Sequence, residues 1–503
     1  MKPASLWLGF AAMCLGMFMA VLDIQVVASS LTAIQAALHI PLSQLGWIQT
    51  AYLMAEVVAI PLTGILTRAL SLRYLFAAAT LGFVAASGAC ALATSFDVLI
   101  AARVVQGFFG GMLIPSVFTA VFVLIPKPQH ILATTMAGVA ALLAPTLGPL
   151  LGGWLTETQS WHWIFLVNIF PGLAVALVVI LTLKREAAEI TVLKRLDLLT
   201  LLLFAVFLAG LQWLLHEAPG HHWRGGFVFG LAGLCLLTCG WGIHRALSVA
   251  HPFVHLGRFR NRGFALGCSL SFVLGFGLYG SVYLLSLFLG VVRGHTPLAV
   301  GEILVVSGAA QLITAPVAAW AETRADARLL TALGFALFGL GLIANGFTTL
   351  TSDFDALFWP QVMRGLAVMF CLLPATRLAL ECWPPHEVAE ASGLFNLMRN
   401  LGGAMGIAAI DTILTERMPG HVASLVARLQ AGDPAAAALA GLPTRLFHNH
   451  PMGPVDPITQ ALIAPMVQRA ALTQACNEAW WVLGGLFLLA LLLLPAMRRK
   501  EMI

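Results

Sequence analysis

Long apolar runs follow one another along this chain, separated by short stretches that hold most of its charge. Runs bounded by charged or turn-forming residues fall near 6–31, 45–66, 74–95, 98–125, 131–155, 164–183, 198–215, 227–247, 263–289, 297–320, 328–348, 355–380, 388–413 and 477–497. A helix needs about 20 such residues to cross hydrocarbon. Each run is continuous, without the alternation of apolar and polar positions that marks barrel strands. In lipid every backbone polar group must be satisfied internally, so the pattern predicts an all-α polytopic protein with fourteen membrane helices. An even number places both termini on one face.

Composition strengthens this expectation. Hydrophobic residues make up 60% of the chain and charged residues 10%, against roughly 45–50% and about 25% in soluble proteins. So few charges cannot clothe a water-exposed surface, so lipid is the expected solvent. The first run is long enough to span and lacks an A-x-A site, so it reads as a retained helix rather than a cleaved leader. The net charge is only +5, so its placement matters more than its size. With the N-terminus inside, the inner segments hold Lys2, Arg68, Arg73, Lys127, the 184–195 and 245–262 clusters, Arg324, Arg328 and the 498–500 cluster, seventeen basic residues against six outside. That bias fits the positive-inside rule and puts both termini in the cytoplasm. Arg103, Arg364, Arg377 and Arg399 remain, all within helices.

Two stretches break the monotony. Segment 184–262 carries two spans and the most basic loops, as though inserted between two halves. Segment 414–476, rich in Pro, Ala, Gly and His, is expected as the one sizeable aqueous piece, on the outside. Within it Ile458, Leu462, Met466 and Ala470 recur at four-residue spacing, which suits a short amphipathic helix leading into the last span. The expected domains are therefore 1–183, a six-helix bundle; 184–262, two inserted helices; and 263–503, a second six-helix bundle including the 414–476 loop.

Internal similarity supports two related halves. Aligning Gly107 with Gly365 sets Arg103 opposite Gln361 and Gln106 opposite Arg364, the same polar pair in reversed order. Gly148 and Gly152 in TLGPLLGG align with Gly402 and Gly406 in NLGGAMGI at nearly the same offset. A duplicated bundle with its site between the halves is the signature of rocking-bundle secondary transporters.

Ionisable residues in hydrocarbon cost roughly 2.5–3.5 kcal/mol each on insertion scales, so each needs a partner, a wet cavity or a task. Asp23 and Arg103 are placed to meet at similar depth. Either they form a permanent ion pair joining two helices, or Asp23 changes its pairing as the halves move and carries a proton. Glu56 lies near the middle of the second span without an opposite charge nearby in sequence. It reads as a proton or cationic-substrate site, or as a polar helix contact. Gln25, Tyr52, Gln106, Arg364, Asn396 and Arg399 are the candidate polar lining of a cavity; the second-half arginines could instead bond backbone carbonyls. Asp411 is expected to be merely wetted near a helix end. Pro145 and Pro149 kink the 131–155 helix, while Gly148, Gly152 and Gly153 admit a neighbouring backbone, which suits a gate or a plain structural bend.

Other chemistries are missing from the sequence. There is no GxxxxGK[ST] loop for ATP, no HExxH or GxSxG, and no His/Cys cluster with metal spacing. No cofactor, metal or nucleic-acid partner is expected. Cys235 and Cys239 share a helix face and read as small packing residues. His221, His222, His448 and His450 read as solvated loop residues.

These motifs resemble the major facilitator superfamily, in particular its fourteen-helix drug:proton antiporters, the EmrB/QacA-like branch. The likeness rests on LDIQVV (22–27), WIQTAYLMAEVVAIPLTGIL (47–66), RVVQG (103–107), APTLGPLLGGWL (144–155), SWHWIFLVNIFPG (160–172) and RNLGGAMGIA (399–408). It implies a major facilitator fold of two six-helix bundles plus two inserted helices, with Asp23 and Arg103, and more loosely Glu56, as proton-coupling residues. It implies Pro145, Gly148, Pro149 and Gly152 as the antiporter motif. It further implies a bacterial inner-membrane exporter of amphipathic or lipophilic small molecules, with a periplasmic adaptor and outer-membrane channel as partners, as some members have. The chain departs from the pattern at Arg68, where many relatives have an acidic residue, and at Ser71, where they have glycine. Gln25 and Ala28 replace the usual threonine and asparagine. The rival on the same scaffold is a symporter or uniporter for one metabolite; a membrane enzyme or receptor is disfavoured because no catalytic constellation is in sight.

Overall fold

The structure, a computed structural model, describes residues 3–39, 44, 46–184, 189, 191, 197–249, 255–447 and 457–496. Lys2, Arg185, Lys194, Arg195, Arg498, Arg499, Lys500, His448 and His450 lie outside them. Among the described residues all regular structure is helical, as a chain dissolved in lipid requires.

The order is α1 (Pro3–Ser29), α2 (Leu31–Leu38), α3 (Trp47–Leu70), α4 (Leu72–Ala91), α5 (Phe96–Leu124), α6 (His130–Thr158), α7 (Trp163–Leu166) and α8 (Ile169–Thr182). Then come α9 (Leu198–Glu217), α10 (Gly226–Ser248), α11 (Arg262–Leu287), α12 (Pro297–Arg324), α13 (Ala327–Asn345), α14 (Phe354–Leu380), α15 (Pro385–Gln430), α16 (Pro434–Leu439) and α17 (Pro457–Ala490). Polar residues start several of them. Ser95 accepts from the Val98 amide, Asp197 from Thr200, Thr296 from Ala299, and Asn261 from Gly263 and Phe264, each covering an amide the helix leaves unpaired.

Among the described residues, twelve helices are long and apolar enough to cross a membrane, and thirteen when the bent α6 is taken as one span. The expected span 388–413 falls on α15, which does not meet that test and carries Glu387, Glu390, Arg399, Asp411, Glu416 and Arg417. It nevertheless packs along α11, α3 and α17 like the spans around it.

The expected 164–183 span is present as Trp163–Thr182, one candidate crossing whose helix is interrupted between α7 and α8 at Val167–Asn168. Two expectations need correction. Segment 414–476 is not chiefly a loop, because α15 continues to Gln430 and α17 begins at Pro457. The amphipathic stretch is thus the first turns of the last span, and its buried face matches the expected one only in part. Leu462 is exposed, while Val467, Ala470 and Ala471 pack against Leu425, Leu429, Ala436 and Ala437 in a small core of their own; the side chain of Ile458 lies outside the description.

Helices α1, α3–α6 and α8 pack into one bundle, and α11–α15 with α17 into another. The backbones approach closely where side chains vanish: a Cβ at Gly107 would strike the Tyr52 carbonyl, and one at Gly365 the Ser307 carbonyl. The bundles touch along two seams. In one, α6 meets α12, where a Cβ at Gly153 would lie 2.7 Å from the Leu298 nitrogen. In the other, α15 lies on α3 and α5, and the Ser392 hydroxyl donates to the Pro115 carbonyl at 2.9 Å. The α9–α10 hairpin lies outside both bundles, with α9 against α3 and α10 the least buried of the spans. Cys235 of α10 packs against Gly210 of α9.

Candidate functional site

The apolar face of α1 is interrupted by Asp23, which is 1% exposed. Its carboxylate accepts from Arg103 Nη1 at 2.5 Å, from Gln106 Nε2 at 3.0 Å and from Asn168 Nδ2 at 2.9 Å. Arg103 also donates through Nε to the Ile48 carbonyl and through Nη1 to Gln106 Oε1, and its guanidinium stands 4.4 Å from the centre of the Tyr52 ring. Gln106 donates to Ser87 as well. The expected Asp23–Arg103 pair is therefore present, inside a fully buried network. Asn168 and Ser87 were not anticipated, although an asparagine in the apolar run IFLVNIF was a visible anomaly; the α7–α8 break sets it there.

The second bundle holds a counterpart without an acid. Arg364 Nη1 donates to Gln361 Oε1 at 2.9 Å, and Nη2 to the Ser281 hydroxyl. Ser281 follows Asp23 by 258 residues, the offset that relates Arg103 to Gln361 and Gln106 to Arg364. The reversed pair read from the sequence is thus a repeated hydrogen-bonded unit, with serine where the first copy has aspartate. Phe338 and Trp480 flank the Arg364 guanidinium.

Between the bundles lies a cavity of about 310 Å³, within the size range of small-molecule sites. Ile24 and Gln25 of α1, Gln49, Leu53 and Glu56 of α3, and Tyr279 and Tyr283 of α11 line it. Asn400 and Asp411 of α15 and Gln212 and His216 of α9 complete its polar wall. Of the expected lining, Gln25 is there, as is Glu56. Tyr52, Gln106, Arg364, Asn396 and Arg399 are not among the lining residues; they are buried between helices instead. Tyr52 donates to the Ala20 carbonyl, and Asn396 accepts from Arg399 Nη2 at 2.6 Å. These large polar side chains bond in part to one another, and other residues line the cavity.

Glu56 is 2% exposed and accepts at Oε1 from Asn400 Nδ2 across the seam at 3.2 Å; its Oε2 has no hydrogen-bond partner. Asp411 is more than wetted, since it accepts from the Tyr283 hydroxyl at 2.6 Å and lines the cavity.

The bent α6 forms one seam. Its two parts, 127–145 and 147–158, meet at 47°, where Pro145 and Pro149 each remove a backbone donor. A Cβ at Gly148 would collide with Gln25, and Gly153 touches α12. Gly152 accepts a long bond, 3.5 Å, from the Ser30 hydroxyl. This helix therefore packs on α1 of its own bundle and on α12 of the other, the placement expected of a seam.

A cluster of charges also joins α3 to α15, away from the cavity lining. Arg68 Nη1 lies 3.3 Å from Glu390 Oε1, while Arg258 Nη1 and His255 Nδ1 approach Glu390 Oε2 at 2.6 and 2.9 Å. The 64–73 connection, where the chain departs from its resemblance, thus does tie the bundles together, with the base on α3 and the acid on α15. His222, expected to be solvated, is exposed yet lies 3.0 Å from Glu416, and Trp223 donates to Thr412.

Two bundles with a cavity at their seam, buried carboxylates and inserted helices alongside define a multi-pass membrane transporter scaffold. The family profile of the Major Facilitator Superfamily matches residues 13–407, and the chain belongs to that family, within its EmrB-type branch. It is 38% identical to the colistin resistance protein EmrB of Acinetobacter baumannii, covering 83% of this chain and 82% of that one. It is 29% identical to the multidrug export protein EmrB of Escherichia coli K12 over 98% and 95% of the two chains. Among solved structures it resembles the proton:xylose symporter XylE with a TM-score of 0.59 at 14% identity, over 98% of this chain and 96% of the other, a likeness of fold.

Proposed function

We propose that this protein is a proton-coupled exporter of amphipathic or lipophilic small molecules, working by alternating access in a bacterial inner membrane with both termini cytoplasmic. The observation that carries the proposal is Glu56, a carboxyl with one unpartnered oxygen in a cavity at the seam between the bundles. The names of the relatives, multidrug export and colistin resistance, agree with it.

In this scheme residues 1–183 and 263–503 act as the two rocking halves and 184–262 as an insert. With the positive-inside orientation, residues 46, 216 and 411 lie at the outer end and the Arg68–Glu390 contact at the inner end. The arrangement then corresponds to a cavity in the outer half with its inner end closed. Protons from outside reach Glu56, whose charge is neutralised as cargo leaves. Asp23 changes its share of the Arg103 guanidinium as the halves tilt, and so couples the first bundle to that exchange. Pro145, Gly148, Pro149, Gly152 and Gly153 let α6 bend at its seam. Gln106 orients Asp23 and Arg103, while Tyr52 walls the guanidinium; Arg364, Asn396 and Arg399 brace the second bundle, and Gln25 contacts cargo. A periplasmic adaptor and an outer-membrane channel complete the export route, and no enzymatic step is involved.

The test is transport in liposomes with an imposed pH gradient. Wild-type protein should drive an amphipathic dye uphill, and Glu56→Gln or Asp23→Asn, correctly inserted, should not. Gradient-driven export by both variants would exclude the mechanism.

A further inference from the structure

The cavity is not enclosed by the two bundles alone. Helix α9, the first of the inserted pair, contributes Gln212, Leu215 and His216 to its wall. Its position is fixed at both bundles. Trp213 meets Trp47 of α3 edge-on with ring centres 5.5 Å apart, and His216 lies 6.0 Å from the same Trp47. Beyond the end of α9, Trp223 donates to Thr412 at 2.8 Å and His222 lies against Glu416, both on α15.

Gln212 is 8% exposed, and among the described residues no group hydrogen-bonds to its amide. An amide on a cavity wall that no neighbouring side chain or backbone group satisfies is placed to meet a guest. Glu56 Oε2 and Asn400 Oδ1 are likewise unpartnered. The lining is rich in acid: Glu56 comes from one bundle and Asp411 from the other, and no lysine or arginine is among the lining residues. The two tyrosines, Tyr279 and Tyr283, present rings that suit a flat cation.

We propose that α9 forms the third wall of the substrate site, and that Gln212 and His216 determine specificity for amphipathic organic cations bearing hydrogen-bonding substituents. This rests on the export reading above and deepens it. The cation's charge sits with Glu56 and Asp411, its apolar body against Leu53 and Leu215, and its polar substituent on the Gln212 amide, with His216 at the rim. The inserted hairpin thereby becomes part of the recognition machinery rather than a lipid-facing appendage.

Two permanent cations separate this role from a general one: ethidium, which carries aromatic amines, and tetraphenylphosphonium, which has no hydrogen-bonding group. Binding to purified full-length protein is read by ethidium anisotropy and by calorimetry. Gln212→Leu, nearly isosteric, should weaken ethidium about tenfold and leave tetraphenylphosphonium within about twofold; His216→Ala should shift the same ratio in the same direction. Should Gln212→Leu not fold, Gln212→Asn and His216→Ala carry the same comparison. Unchanged ethidium-to-tetraphenylphosphonium ratios in the folded variants would overturn the proposal, as would wild-type binding of dodecanoate more tightly than of either cation. Loss of gradient-driven export by the wild type for every compound sinks the export reading. Wild-type selectivity in variants that still export sinks only the role of α9.

Discussion

Asp23 and Glu56 are equally buried carboxylates in opposite situations. Asp23 is held by Arg103, Gln106 and Asn168, so its replacement leaves Arg103, which is 0% exposed, without its counter-charge. Breaking one partner of a buried pair typically costs about 3–5 kcal/mol. Glu56 has a single hydrogen bond to Asn400 and one empty oxygen. Glu56→Gln should therefore melt within a few degrees of the wild type while losing gradient-driven export. Asp23→Asn should lose both transport and several degrees, as thermal denaturation in detergent would measure. Equal melting temperatures would show that the Asp23 network contributes little to stability. The same scale offers a gain. Ser71 sits at φ 72° and ψ 152°, a region that nearly only glycine occupies, and its buried hydroxyl has no partner among the described residues. Such strain costs about 1–3 kcal/mol, so Ser71→Gly should raise the melting temperature; a decrease would mean that the side chain is needed. The Asp23–Arg103 meeting was legible in the sequence because both residues were rare charges at similar depth. Tyr52, Arg364 and Arg399 are not among the residues lining the cavity described above, because polarity alone does not reveal direction. A polar residue in oil turns toward whichever partner the packing provides, and here that was another helix.

Elements show the same division between pattern and packing. Apolar runs located most of the spans to within a few residues, since hydrocarbon imposes length and continuity directly. The ends of α15 and α17 were missed because their extensions beyond the membrane are ordinary polar helix, with no hydropathy signal to mark them. The break before α8 was missed because both sides of it are apolar. The inserted hairpin is tied at its other end by Asp197, which caps α9 and accepts from Arg245 of α10 at 2.8 Å. Burial works to raise the Asp197 carboxyl, but hydrogen bonds from Arg245 and Thr200 outweigh it and hold it down to about 2. A carboxylate lowered on folding adds stability above the unfolded value near 4, and that contribution disappears as pH falls toward 2. Asp197→Asn keeps a good cap and loses the ion pair. It should loosen the hairpin at pH 7, seen as faster amide exchange around 198–203 and 240–248, and should abolish the difference between pH 5 and pH 2 at those amides. A pH response identical to the wild type's would remove Asp197 from the account.

At the scale of the whole molecule, an alternating-access carrier needs ties between its halves that hold one state and can be released. The seam of α6 with α12 is made of backbone and small residues, so it depends on shape. The tie between α3 and α15 depends on charge, with Glu390 shared by Arg68, Arg258 and His255. The sequence could not disclose that Arg68 meets an acid on the other half, because the two residues are 322 positions apart. Arg68 is 37% exposed on its side chain while Arg258 is 7% exposed. Removing the Arg68 charge alone should therefore cost little, on the order of 1 kcal/mol or less. Placing an acid there is a different matter. Arg68→Asp would face Glu390 with a like charge and should open the inner end of the cavity. Export should fall several-fold, and the loss should ease as salt screens the repulsion. Adding Glu390→Gln to Arg68→Asp should recover part of the export, because the repulsion then has no second partner. Fluorescence distance measurements between probes on the 64–73 connection and the start of α15 would follow the opening. Undiminished export by Arg68→Asp at low salt would mean that this contact does not hold the inner end shut.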